Sequence, residues 1–121
     1  MTERKDIQQR VVLLGSTGSI GTQALDVISR YPEKFIVESL IAGNNIELLT
    51  QQALRFQPDS VIIGNIDHYK QLKENLKNTA VKVYTGKEAI EQVVTATNVD
   101  VVIAAIVGSD FAPSQSSSLS E

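Results

Sequence analysis

The fold is decided by residues 11–21, which read Val11-Val12-Leu13-Leu14-Gly15-Ser16-Thr17-Gly18-Ser19-Ile20-Gly21. A continuous apolar run that ends in glycine is typical of a parallel strand buried on both faces. After the glycines, apolar side chains recur at helical spacing, and Pro32 ends that helix; the side chains are Ile20, Ala24, Val27, Ile28 and Tyr31. A strand, a glycine loop and a helix in this order predict the opening of a βαβ unit.

The rest of the chain alternates between the same two patterns. Strand patterns cover residues 35–42, 60–64, 81–84 and 100–107, and helix patterns lie between them. Asp67 is predicted to cap the third of these helices. Parallel strands need crossover helices, so the alternation predicts an α/β fold: a Rossmann-like, doubly wound, mostly parallel sheet with helices on both faces.

The same patterns predict where the strands lie in the sheet. The first strand is expected near the middle, and the strongly apolar residues 100–107 are expected to form a central strand. Residues 81–84 alternate and carry a charge, which favours an edge strand. The folded domain is expected to span residues 1–108. Residues 109–121 are rich in serine and have no apolar period, so they are predicted to be a divergent tail.

The glycine loop has the spacing G-x-x-G-x-x-G, a variant of the dinucleotide fingerprint. A pyrophosphate needs hydrogen-bond donors at close range, and the free N–H groups of a helix N-terminus supply them. Gly15 is expected to turn the chain off the strand, Gly18 to let the phosphate approach, and Gly21 to allow close packing of the helix on the sheet. Thr17 and Ser19 can add hydroxyl donors, and Ser19 can also cap the helix. The alternative is a glycine-rich turn that only connects strand to helix.

A second turn follows the second predicted strand at Gly43-Asn44-Asn45. Enzymes that use NAD place an acid near this position to bind the ribose 2′-hydroxyl. No acid lies between Ser39 and Ile46, and a carboxylate would repel a 2′-phosphate, so the turn favours NADPH. Asn44 and Asn45 can donate hydrogen bonds to that phosphate or to the ribose. The alternative is an Asn-rich turn that caps the next helix.

Composition excludes several other classes of function. The net charge of −3 argues against a nucleic-acid partner, and no apolar run is long enough to cross a membrane. The chain has no cysteine and no signal-peptide pattern at its start, so a cytoplasmic protein is expected. No cluster of residues has metal-ligand spacing, and no catalytic residue is predicted. His68, the only histidine, is expected to be exposed to solvent.

Six segments of the chain together form a recognisable pattern: the glycine loop from Leu14 to Gly21, Ala24-Leu25-Asp26-Val27, Tyr31-Pro32-Glu33-Lys34-Phe35, Ala42-Gly43 with Asn45, Gln52-Ala53 with Phe56 and Pro58, and Ala104-Ala105-Ile106-Val107-Gly108. Over about residues 10–109, these segments resemble the N-terminal part of the 1-deoxy-D-xylulose 5-phosphate reductoisomerase family. The resemblance implies an NADPH-dependent oxidoreductase of the non-mevalonate isoprenoid pathway, which converts deoxyxylulose phosphate to methylerythritol phosphate with a divalent metal, Mn or Mg. It also makes a cytoplasmic homo-oligomer a candidate.

Residue by residue, the resemblance implies that the glycine loop and the second turn hold the cofactor. Thr17, Gly18, Ser19 and Ile20 would contact NADPH, and Gly43, Asn44 and Asn45 would surround its 2′-phosphate and adenosine end. Residues 104–108 would lie near the nicotinamide.

Two departures from the family accompany the resemblance. Many members carry Lys or Arg where this chain has Asn44. After Gly108 the family continues into its metal-binding and catalytic domain, whereas this chain runs into serines, so the chain alone is expected to be inactive and to bind no metal.

Two other functions stay open on the sequence alone. A semialdehyde-dehydrogenase-like protein would share the loop, but it would need a cysteine nucleophile that this chain lacks. A stand-alone cofactor-binding or interaction module needs no catalytic group at all.

Overall fold

The computed structural model describes residues 8–105, which form a five-stranded parallel sheet with helices on both faces. The elements follow in chain order as β1 (Gln9–Leu14), α1 (Ser19–Ser29), β2 (Phe35–Ala42), α2 (Ile46–Phe56), β3 (Ser60–Ile63), a short 3-10 turn (Ile66–His68), α3 (Tyr69–Asn75), β4 (Lys82–Thr85), α4 (Lys87–Val94) and β5 (Val101–Ala104). The predicted doubly wound α/β class is confirmed. The predicted serine-rich tail, residues 109–121, lies outside the described residues.

The order of the strands places a crevice beside β1. The sheet runs β4-β3-β2-β1-β5, and each neighbouring pair is parallel. The chain therefore moves outward from β1 to β4 and then returns to the other side of β1 as β5. In doubly wound sheets, ligands bind outside the carboxyl ends of the strands at the point where the order reverses. Here that point lies between β1 and β5.

The two faces of the sheet carry cores of different size. The larger core lies under α1, α2 and α3, where fully buried side chains such as Leu13, Leu40 and Leu49 meet. On the other face, Val12, Ile41 and Ile62 are covered by α4, which packs through side chains that are only partly buried. The face under α4 is the less protected of the two.

The predicted central position of residues 100–107 is wrong for the part of that strand that the structure describes. Among residues 8–105, β5 pairs with β1 alone, and Val102 is 42% exposed. An apolar run measures how hydrophobic a strand is, but it does not specify which strands lie beside it. The middle position belongs to β2, and β1 lies next to it. The predicted edge position of residues 81–84 is confirmed by β4.

Local details of two helices also differ from the predictions. The buried residues of α1 are Gly21, Leu25 and Ile28, whereas Ile20, Val27 and Tyr31 are each about half exposed. Apolar residues at helical spacing can form more than one stripe along a helix, and only one of these stripes can face the sheet. Asp67 does not cap a helix. The side chain of Asn65 accepts a hydrogen bond from the Asp67 N–H and caps the 3-10 turn instead.

Candidate functional site

The glycine loop leaves β1 by a turn that only glycine adopts easily. Gly15 has a φ of 83°, which lies in the left-handed region. The N–H groups of Gly15 and Ser16 both donate to the carbonyl oxygen of Ile41 in β2, at 2.8 and 3.0 Å. The start of the loop is thus attached to the neighbouring strand, and the predicted turning role of Gly15 is confirmed.

Gly21 allows α1 to lie directly against the loop. A Cβ at this position would overlap the carbonyl oxygen of Gly15 and would lie 2.8 Å from the Cα of Ser16. Both neighbours are backbone atoms, which cannot move aside as a flexible side chain can. Gly21 therefore allows close packing as predicted, but the nearest neighbours of its Cβ position belong to the backbone of the loop rather than to the sheet.

The first turn of α1 presents free N–H groups at the carboxyl edge of the sheet. The first backbone hydrogen bond of the helix runs from the Thr22 N–H to the Gly18 carbonyl oxygen, at 2.9 Å. The N–H groups of Thr17, Ser19, Ile20 and Gly21 make no hydrogen bond to another described residue. Ser19 is the first residue of the helix, so the prediction that it caps the helix is wrong; Gly18 occupies the N-cap position without a side-chain bond.

The described residues leave room for a side chain at Gly18. A Cβ there would lie 3.6 Å from the Gly15 carbonyl oxygen and 3.9 Å from the Ala105 carbonyl oxygen, which are ordinary contacts. Its φ of −77° and ψ of 174° suit any residue. Neither the backbone nor the packing of the described residues explains a glycine here. Ala105 also donates its N–H to Leu14 at 2.8 Å, so the end of β5 lies beside the loop.

The second turn, Gly43-Asn44-Asn45, follows β2 at the same edge. The two asparagines are exposed and have different partners. The Asn45 side-chain oxygen accepts from the Leu48 N–H at 3.1 Å and caps α2, as the alternative interpretation of this turn predicts. The Asn44 side-chain oxygen accepts from the side chain of Asn65 at 2.9 Å. Its amide N–H groups, like those of Asn45, have no partner among the described residues.

A buried amide joins the glycine loop to α2, the helix that follows the second turn. Gln52, on the inner face of α2, is 7% exposed, and its Nε2 donates to the carbonyl oxygen of Ser16 at 2.9 Å. The same α2 is capped at its start by Asn45. From the sequence, Gln52 is recognised only as part of the family resemblance, because a glutamine in an apolar helical stripe gives no local indication of its hydrogen-bond partner.

The other polar candidates do not gather at this edge. His68 is half-buried on the 3-10 turn, so it is less exposed to solvent than expected. Among residues 8–105, no three His, Cys, Asp or Glu side chains are placed to hold a metal ion. No helix in this part of the chain is long and apolar enough to cross a bilayer. The chemistry that the described site offers is donation of hydrogen bonds to an anion.

Comparison with known proteins gives one consistent family. The family model described as 1-deoxy-D-xylulose 5-phosphate reductoisomerase matches residues 11–116. The enzyme of that name from Bacteroides thetaiotaomicron is 48% identical over 107 residues, which are 88% of this chain and 27% of the relative. The one from Porphyromonas gingivalis is 44% identical over 102 residues, which are 84% of this chain and 26% of the relative.

Solved structures agree with the sequence comparison. The reductoisomerase from Zymomonas mobilis in complex with NADPH superposes with a TM-score of 0.79 at 32% identity, over 84% of this chain and 27% of that one. A DOX-P reductoisomerase in complex with magnesium superposes with a TM-score of 0.80 at 28% identity, over 86% of this chain and 26% of that one. The chain thus spans about a quarter of the length of the relatives that it matches. It belongs to the 1-deoxy-D-xylulose 5-phosphate reductoisomerase family.

Proposed function

We propose that this chain binds NADPH and supplies the cofactor-binding part of a reductoisomerase that converts deoxyxylulose phosphate to methylerythritol phosphate. One observation carries the proposal. Free N–H groups of the glycine loop and of the first turn of α1 flank Gly18, where the described residues leave room for a Cβ, at the point where the strand order reverses. A pyrophosphate fits that space because it accepts several hydrogen bonds and is attracted by the positive end of the helix dipole.

The residues of the loop have distinct roles in this proposal. Thr17, Ser19 and Ile20 donate their backbone N–H groups to the pyrophosphate, and the hydroxyls of Thr17 and Ser19 add further donors. Gly18 leaves room for a phosphate oxygen to approach the backbone. NADPH supplies the hydride when bound, and these residues bind and orient the cofactor. The solved relative in complex with NADPH supports this choice of cofactor.

The second turn takes the adenosine end of NADPH. Gly43 brings the chain close to the ribose. Asn44 is the principal contact to the 2′-phosphate, because its exposed side chain keeps two N–H groups available while its oxygen is held by Asn65. Asn45 uses its oxygen to cap α2 and therefore offers only its amide nitrogen. No carboxylate in this turn repels the phosphate.

Catalysis by the 121-residue chain alone is not expected. The chain spans about a quarter of the relatives' length, and its described residues hold no group suited to a divalent metal ion. We expect the polypeptide to bind NADPH without turnover when deoxyxylulose phosphate and manganese are added. The same proposal includes a cytoplasmic location and no nucleic-acid or membrane partner. It also places the end of the cofactor-binding domain at residue 108.

Titration with NADPH and NADH, followed by fluorescence or calorimetry, tests the proposal. The unchanged chain should bind NADPH more tightly than NADH. Asn44→Asp keeps the size of the side chain and the acceptor for Asn65, but it adds a negative charge beside the 2′-phosphate. NADPH affinity should then fall about tenfold or more while NADH affinity holds or rises.

Asn78→Asp is the matched control for that variant. Asn78 is exposed beyond the C-terminal end of α3, away from the carboxyl edge of the sheet, so the same change in net charge should leave both affinities unaltered. Equal affinities for the two cofactors in the unchanged chain would remove the 2′-phosphate from the proposal. The absence of binding by either cofactor would reject the site.

A further inference from the structure

Gln52 is a polar side chain in an apolar setting. It lies between the fully buried Leu49 and Ala53 on α2, and it is 7% exposed. Its Nε2 donates to the Ser16 carbonyl oxygen. Its Oε1 and the hydroxyl of Ser16 are both buried and have no hydrogen-bond partner among the described residues. Buried polar atoms without partners cost free energy, so this amide is not explained by stability alone.

The hydrogen bond from Gln52 fixes the direction of a free donor. The carbonyl of Ser16 and the N–H of Thr17 belong to the same peptide group, and no cis peptide bond occurs among the described residues. In a trans peptide the C=O and the N–H point in opposite directions. Because Gln52 holds the carbonyl toward α2, the Thr17 N–H is aimed away from α2. That N–H has no partner among residues 8–105.

We propose that Gln52 is a positioning residue, which aims the Thr17 N–H at the pyrophosphate and ties the glycine loop to the turn that holds the adenosine end. The inference rests on the proposed binding of NADPH. The tie runs through α2, which is capped by Asn45 and reaches Gln52 about two helical turns later. Both turns of the cofactor site are thereby held by one helix.

Replacement of Gln52 by methionine tests the positioning role. Gln52→Met keeps the length and burial of the side chain but removes the donor to Ser16. NADPH affinity should fall about tenfold, because a misdirected peptide offers one hydrogen bond fewer to a charged group. Adenosine 2′-monophosphate, followed by NMR titration, should bind unchanged, since it has no pyrophosphate. Gln51→Met is the control; Gln51 is exposed on the same helix, and neither affinity should change.

The two ligands separate a positioning role from a merely structural one. If Gln52→Met loosens the whole domain, both affinities fall together, and the positioning role is contradicted. If NADPH affinity is unchanged in Gln52→Met, the role is contradicted while the proposed function stands. If the unchanged chain does not bind NADPH, the proposed function fails and the inference fails with it.

A measurement on the unchanged chain covers the case in which the variant does not fold. The backbone amide signal of Thr17 should shift strongly when NADPH is added. The amides of Gly15 and Ser16 should shift little, because both already donate to Ile41. A Thr17 signal that stays in place while NADPH binds would show that this N–H does not face the pyrophosphate.

Discussion

Gly18 is the N-cap of α1 and Gly21 lies in the first turn of that helix, and the two glycines differ in their surroundings. At Gly21 the space for a Cβ is filled by the backbone of Gly15 and Ser16. At Gly18 a Cβ would make only ordinary contacts with the described residues, and the backbone angles suit any residue. Packing among the described residues thus accounts for Gly21 but not for Gly18, which agrees with the proposed approach of a phosphate to Gly18.

Alanine substitution at the two positions should separate stability from binding. Gly21→Ala is expected to lower the free energy of unfolding by about 1–3 kcal/mol, although alanine is ordinarily the better helix former, because the added methyl group overlaps backbone. Gly18→Ala should cost less than about 1 kcal/mol, as a poorer N-cap, and weaken NADPH binding at least about tenfold. Urea denaturation and NADPH titration of both variants measure this. Equal stability losses, or normal NADPH binding by Gly18→Ala, would contradict the assignment.

At the scale of residues, the sequence predicts interactions within a short segment better than those between segments. The turn at Gly15 follows from local spacing, because the loop needs a left-handed residue directly after the strand. The bond from Gln52 to Ser16 joins positions 36 residues apart, and no local pattern indicates it. The side chains of Asn44 and Asn45 have different hydrogen-bond partners, and the partner of Asn44 is Asn65, which lies in another turn.

At the scale of elements, hydrophobic periodicity predicts where strands and helices lie but not how completely they are covered. The strand and helix patterns correspond to every strand and α-helix of the described residues. The predicted stripe of α1 nevertheless includes Val27, which is 50% exposed. The order of strands depends on long-range pairing, so the edge position of β5 could not be predicted from its apolar sequence.

The two faces of the sheet should differ in local stability. The helix α4 is the only α-helix on its face among residues 8–105, spans 8 residues and has no buried residue, whereas α2 spans 11 and buries Leu49, Gln52 and Ala53. A helix with little buried apolar surface opens at lower free energy than the whole domain. Amide hydrogen exchange should therefore be faster in α4 than in α2, and slowest in β1 and β2. Equal protection of α4 and α2 would show that the domain opens only as one unit.

At the scale of the whole molecule, the strand beside the candidate site is one of the two edges of the sheet that the described residues form. Within the described part of the chain, β5 has β1 as its one partner, so the hydrogen-bonding groups of its outer side face no other strand. Val102 on β5 is 42% exposed. An apolar edge strand is a template for pairing with another chain. On this ground we propose the second candidate function, an interaction module, with a second copy of this chain as its partner.

Sedimentation velocity at increasing concentration tests that expectation. The unchanged chain should associate as its concentration rises, through pairing at β5. Val102→Lys places a charge on the edge strand, where a lysine opposes pairing, and should keep the chain monomeric without unfolding it, because the side chain is already partly in solvent. Val27→Lys is the matched control, since Val27 is also about half exposed but lies on α1; this variant should associate as the unchanged chain does. A monomer at every concentration, or association that survives Val102→Lys, would contradict pairing through β5 and leave NADPH binding as the one function that the described surface supports.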